Sequence, residues 1–237
     1  MAVQAKRQTA GGSARPRRTQ EERSQETRAK LLKAAAELLR EQGYAQLTTE
    51  AVSNRAGVTN GARAYHYASK LDLIVATAEH IHRANMTIGY DMLARSMIDG
   101  DPVEAYVEFC STLYFDPDFI AFNEVSSAAR TDPDLLARLL PMVAEYRQLI
   151  EHAWVDAIVR AGNARDWAGA MVMITFHMFR SMGTNPLWPD ATDTNRDAVA
   201  MWHRLITADR ATAPSPNRTR SAPPKASPWR TRSSRSQ

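Results

Sequence analysis

The stretch Leu47-Thr48-Thr49-Glu50-Ala51-Val52-Ser53-Asn54-Arg55-Ala56-Gly57-Val58-Thr59-Asn60-Gly61-Ala62-Arg63-Ala64-Tyr65-His66-Tyr67 reads as two short helices joined by a tight turn. Thr48 or Thr49 can cap the first helix, because a side-chain oxygen there satisfies an N–H group that the first turn leaves free. Val52 and Ala56 then face inward, and Gly57 can take the left-handed conformation that ends a helix at little steric cost. Thr59 caps the second helix. Small Ser53, four residues before Gly57, lets two steeply crossed helices approach closely, as a helix-turn-helix requires. An ordinary helical hairpin closed by a glycine fits the same pattern. The residues that follow favour the first reading: Tyr65, His66, Tyr67, Ser69 and Lys70 put hydroxyl, imidazole and ammonium donors at the end of the second helix and the start of the next. Such donors suit phosphate oxygens on either side of a groove.

Outward from this motif the apolar residues keep helical spacing. Leu31, Leu32, Ala35, Leu38 and Leu39 precede it; Val103, Tyr106, Val107, Cys110, Leu113 and Tyr114 follow it, as does a longer series from Leu135 to Ile158. Each set matches the i, i+3, i+4, i+7 template. Punctuation falls at Gly43, Gly57, Gly100 before Asp101-Pro102, Asp116-Pro117, Asp132-Pro133, Gly162 and Asn185-Pro186, where helices are expected to begin or end. No run alternates with period two between hairpin turns, so an all-α fold is predicted. Residues 1–24 and 210–237, rich in Gly, Ser, Pro and Arg, read as a basic arm and a basic tail that bury too little to offset their ordering entropy.

The chain has 237 residues, 44% hydrophobic and 24% charged, which suits a globular core. No apolar stretch reaches the ~20 residues of a membrane span, and the first thirty residues are basic, so neither a spanning helix nor a secretory signal is expected. A single cysteine, Cys110, excludes an internal disulfide and points to the reducing cytoplasm. The net charge of +4 is unevenly spread: Met1 to Lys30 carries eight basic against three acidic residues and Arg210 to Gln237 seven against none, leaving −8 on the body. Basic ends on an acidic body fit either a polyanionic partner or solubilising extensions. Catalytic constellations are missing. None of the six histidines has metal-ligand company at useful spacing, and no G-x-S-x-G, Gly-rich phosphate loop or Cys-His pair occurs. An enzyme, a metal site and a cofactor are therefore not expected.

From about Gln25 to Asn85 the sequence resembles the TetR family of bacterial transcriptional regulators. The resemblance rests on an amphipathic first helix ending Gly43-Tyr44, on Leu47-Thr48-Thr49, on the turn Ala56-Gly57-Val58, on Gly61-Ala62, and on His66-Tyr67-x-Ser69-Lys70-x-Asp72-Leu73. It implies that Thr48, Thr49, Thr59, Asn60, Gly61 and Ala62 lie at or near DNA and that Tyr65, His66 and Lys70 hold its backbone. Three residues depart from the usual pattern. Ala64 stands where a Tyr is frequent, Tyr67 replaces Phe, and Arg63 replaces an apolar residue, with a stem that can pack while its guanidinium reaches solvent or DNA.

The remainder, residues 86–209, looks like the family's divergent helical ligand-binding and dimerisation domain, so a small-molecule effector is an implied partner. Phe109, Phe115, Phe119, Phe122, Trp154, Phe176, His177 and Met178 are candidates for lining its pocket, although aromatics and Met at helical spacing are also what any bundle interior needs. Trp167, Met171, Ile174 and Met178 on one helix, with Trp202, Leu205 and Ile206 on the last, form apolar stripes that fit either a homodimer interface or the centre of a large monomeric bundle. The function expected is a homodimeric, cytoplasmic repressor that binds a near-palindromic operator in double-stranded DNA and is released by a small molecule. The signal is expected to cross the helix beginning near Ser69. An activator or protein-switched regulator is the alternative, and an all-helical enzyme a remote one.

Overall fold

The computed structural model describes residues 19–184 and 191–212. Among them every regular element is helical: α1 (Gln20–Gln46), α2 (Thr49–Ala56), α3 (Asn60–His66), α4 (Lys70–Asp99), α5 (Pro102–Tyr114), α6 (Pro117–Ala129), α7 (Pro133–Arg147), a π-helical segment (Gln148–Trp154), α8 (Val155–Arg160), α9 (Arg165–Gly183) and α10 (Ala191–Thr212). The all-α expectation holds. Most of the tail and the Asn185-Pro186 break lie outside the described residues, as does the arm up to residue 18. The arm itself ends sooner than its composition suggests. Thr19 and Glu22 form a capping box, so residues 20–24 are already helix.

Local chemistry accounts for the boundaries. Asp101, Asp116 and Asp132 cap α5, α6 and α7, each followed by a proline in the first turn, where its missing N–H costs nothing. Gly43 has φ +76° and breaks the regular path of α1 before its last residues. The apolar series from Leu135 to Ile158 does not form one uniform helix. After Arg147 the backbone widens to the π form, in which residues five apart share a face. Leu149 and Trp154 have that spacing and both are buried.

Two hydrophobic cores result. The first joins Leu31, Leu38 and Leu39 of α1, Val52 of α2 and Leu73 and Ile74 of α4 to Ala121 and Val125 of α6 and Leu135, Leu139 and Met142 of α7. The second gathers Tyr106, Phe109, Cys110, Trp154, Val172 and Phe179 from α5, the π segment and α9. Helix α4 runs through both, with Leu73 to Ile81 in the first and Met86 in the second. At Gly89 it passes so close to its neighbours that a Cβ would stand 2.6 Å from Leu149 Cδ2 and 3.1 Å from the Phe109 ring. The helix-turn-helix therefore has no core of its own. It shares one with α6 and α7, and α1 makes its broadest contact with α6.

Candidate nucleic-acid interface and effector cavity

The helix-turn-helix is held by the residues its sequence suggests. Thr48 Oγ1 accepts from Ala51 N at 3.1 Å and Thr59 Oγ1 from Ala62 N at 3.1 Å, so Thr48 rather than Thr49 is the cap of α2. Gly57 has φ +66° and ψ 35°; its N–H donates to Asn54 O and that of Val58 to Ser53 O. Arg55 fixes α2 against α1 through a fork on Glu41, at 2.9 and 2.7 Å. Ser53 is buried at the crossing, its Oγ 2.9 Å from Thr49 O and 3.0 Å from Asn60 Oδ1.

This packing constrains the residues expected at DNA. Thr48, Thr59, Asn60, Gly61 and Tyr65 are exposed, whereas Thr49, Ala62, Arg63, His66 and Lys70 are half-buried. The Asn60 amide oxygen accepts from Ser53, which orients the side chain and leaves one acceptor site and both amide N–H groups for a base edge. Arg63 does not reach into solvent. Its Nη1 donates to the carbonyls of Tyr67 and Ala68, at 2.9 and 3.4 Å, and closes the end of α3. Lys70 reaches back to α1, where Nζ donates to Tyr44 O at 2.9 Å and lies 4.7 Å from the centroid of that ring. Burial lowers the Lys70 pKa. Tyr65 stands apart, with 83% of its surface exposed and its ring edge against His66.

Sequence reasoning overlooked two cations here. Arg23 and Arg28 of α1 line the same groove as Tyr65 and His66. Burial, and then the charge of Arg28, lowers the His66 pKa. The available signal was the basic content of the first thirty residues, which composition alone could not assign to a groove.

Farther along, α4, α5, α6, α7, the π segment and α9 surround a partly open cavity of about 380 Å³. Leu113, Phe119, Phe122, Met142, Ile150 and Phe176 give it apolar walls. Its polar groups include the Tyr114 and Tyr146 hydroxyls, bonded to each other at 2.9 Å. Burial above all raises the pKa of both phenols, so both stay protonated. His82 is buried with Nε2 3.2 Å from Glu145 Oε2, while His177 and Arg180 reach the cavity from α9.

Of the eight aromatic, histidine and methionine candidates, Phe119, Phe122, Phe176 and His177 line this cavity. The other four do not. Phe109 and Trp154 are fully buried and stacked on each other in the second core, with ring centroids 5.8 Å apart. Phe115 is exposed at the end of α5 against Phe179, and Met178 packs on the second core. Tyr114, Tyr146 and Arg180 went unnoticed because their elements meet only in the folded chain.

A second groove runs between α9 and α10, lined by Trp167, Ile174, Trp202 and Leu205 among others. Trp167 Nε1 donates to Asp209 at 2.8 Å and Trp202 Nε1 to Thr175 at 2.9 Å, which fixes both indoles within the subunit. Ile174 and Leu205 remain about half exposed. Met171 and Ile206, also expected at a subunit interface, are interior at 4% and 5% exposure, because the turn of each helix points them into the second core.

These parts define a class: a helix-turn-helix unit docked on a helical domain that holds an apolar cavity. A sequence model of bacterial regulatory proteins of the tetR family matches residues 31–77. The HTH-type transcriptional regulator CymR of Pseudomonas putida is 32% identical over 172 residues, 73% of this chain and 85% of that protein. Among solved structures, a gamma-butyrolactone receptor described as ArpA-like shares the fold with a TM-score of 0.58 and 23% identity, covering 80% of this chain and 94% of its own. A transcriptional regulator from Rhodococcus sp. Rha1 does so with a TM-score of 0.62 and 16% identity, over 79% and 99%. The chain belongs to the TetR family of bacterial regulatory proteins and is a DNA-binding transcriptional regulator, not an enzyme. No described helix is long and apolar enough to cross a membrane.

Proposed function

We propose that the protein acts as a homodimeric repressor, holding a near-palindromic double-stranded operator through two copies of α3 and released by a small molecule in the α5–α6–α7–α9 cavity. One observation carries this reading: the helices that wall the cavity are the helices on which the DNA-binding unit packs. Phe119, Phe122 and Ser126 of α6 line the cavity. From the same helix Asp118 holds Arg40 of α1 at 2.6 Å and Glu124 accepts from Tyr44 N at 3.4 Å. Arg138 of α7 holds Asp72, in the first turn of α4, at 2.7 Å. A ligand that fits only one placement of α6 and α7 therefore shifts the population of α1 to α4 placements, while a ligand indifferent to placement shifts nothing. The route runs through α6 and α1 as well as along α4.

At the operator, Thr48, Thr49, Thr59, Asn60, Gly61, Ala62, Tyr65 and His66 take the contacts, joined by Arg63 and Lys70 as they exchange their internal bonds for DNA. Tyr65→Ala tests the assignment, since a residue so exposed contributes little to the fold. Operator affinity is expected to fall about tenfold, the scale of one lost charge-assisted contact, with unchanged thermal stability. Arg28→Ala is expected to reduce the slope of log affinity against log salt by about 0.9 per half-site. An operator mapped from bound genomic DNA and followed by fluorescence anisotropy supplies both readings. Binding indifferent to either substitution speaks against this face.

A further inference from the structure

Resting on the cavity's reading as the effector site, we infer that its ligand is a hydrophobic monocarboxylate with a ring-sized body, its acid group held between Arg180 and the Tyr114–Tyr146 hydroxyl pair. The charges of the lining decide the headgroup. Arg147 and Glu151 cancel, because Nε and Nη2 of the guanidinium donate to the two carboxylate oxygens at 2.9 Å each. His82 faces Glu145. Arg180 makes no ion pair among the described residues, and it lines the same cavity as Tyr114 and Tyr146. The cavity therefore presents one uncompensated cation, and a planar guanidinium matches a carboxylate's two oxygens.

The hydroxyl pair supplies a second point of contact. When one phenol donates to the other across 2.9 Å, the acceptor keeps its own proton and can donate it onward. Two kinds of donor in the lining of one apolar chamber select an acid over an alcohol, and they oppose a cation.

Size and walls decide the body. A dry cavity of about 150 Å³ accepts benzene, so about 380 Å³ leaves room for a substituted ring or two small ones. Phe119, Phe122 and Phe176 offer faces and edges for it, and Met142 and Met173 adapt to its outline.

Calorimetry of the full chain with phenylbutanoate, phenylbutanol and phenylbutyl-trimethylammonium tests the inference. The acid is expected to bind at least about tenfold more tightly than the alcohol, and the cation most weakly. Arg180 is exposed on α9, so Arg180→Gln is compatible with folding. It should lower the acid's affinity to about that of the alcohol and change the alcohol's far less, while Arg180→Lys keeps part of the preference. Equal affinity for acid and alcohol overturns the assignment, as does an acid preference that survives Arg180→Gln or a failure of the acid to bind at millimolar concentration. Ser126→Phe, which adds a ring to the chamber from α6, separates the two readings. It should weaken acid and alcohol alike. Acid binding untouched by it places the ligand elsewhere, and then the effector-site reading itself fails.

Discussion

Leu205→Asp is expected to turn a dimer into a folded monomer that has lost most of its operator affinity. Leu205 is 49% exposed in the single chain, beside Ile174 at 51%, on the groove between α9 and α10. Because so much of the side chain is outside the subunit's own core, a carboxylate there costs the isolated chain little. Inside an apolar contact between two copies it is an uncompensated charge, with a cost of several kcal/mol. A monomer retains one half-site, so operator affinity should fall on the order of 100-fold or more. Sedimentation reports the mass and circular dichroism the retained helix. Ile206→Asp provides the contrast: that residue is buried in the second core, and its replacement should unfold the chain rather than merely divide the dimer. If the unmodified protein sediments as a monomer at micromolar concentration, the symmetric operator is lost with the dimer.

What could be read from the sequence was whatever depends on near neighbours in the chain. A cap needs only an oxygen and an N–H two or three residues on, so Thr48, Thr59, Asp101, Asp116 and Asp132 announce their helices. Gly57 announces the turn for the same reason. Periodicity identifies an inward face, but it does not say whether that face meets another side chain or a void. Phe109 and Phe119 both look like core residues in sequence. The first is stacked on Trp154 while the second borders the cavity, a difference set by how α5, α6 and the π segment cross. The link between Glu124 and Tyr44, and that between Arg138 and Asp72, join residues far apart in the chain. Nothing local signals them. The π segment was hidden differently: its five-residue spacing from Leu149 to Trp154 differs from helical spacing by a single residue.

Trp154→Ala is expected to produce the largest loss of stability of any single truncation in the second core, about 3 to 5 kcal/mol. The indole is fully buried, stacked on Phe109 at 5.8 Å and tilted against Tyr106 at 5.3 Å. Those neighbours belong to well-fixed helices, so the void left by alanine collapses only in part. Marginal stabilities of about 5 to 15 kcal/mol make such a loss a large fraction of the whole. Trp154→Phe should behave very differently. The indole Nε1 is buried with no hydrogen-bond partner among the described residues, so phenylalanine removes an unsatisfied donor at the same time as it removes packing. Denaturant unfolding should therefore place the phenylalanine variant much nearer the parent than the alanine variant. The lining of the void is apolar and should stay dry, so added indole is expected to raise the melting temperature of Trp154→Ala by more than it raises the parent's. A loss below about 1 kcal/mol for Trp154→Ala would mean that the π segment relaxes to fill the space. In that case Ile150, which borders the cavity from the same segment, should shift with it.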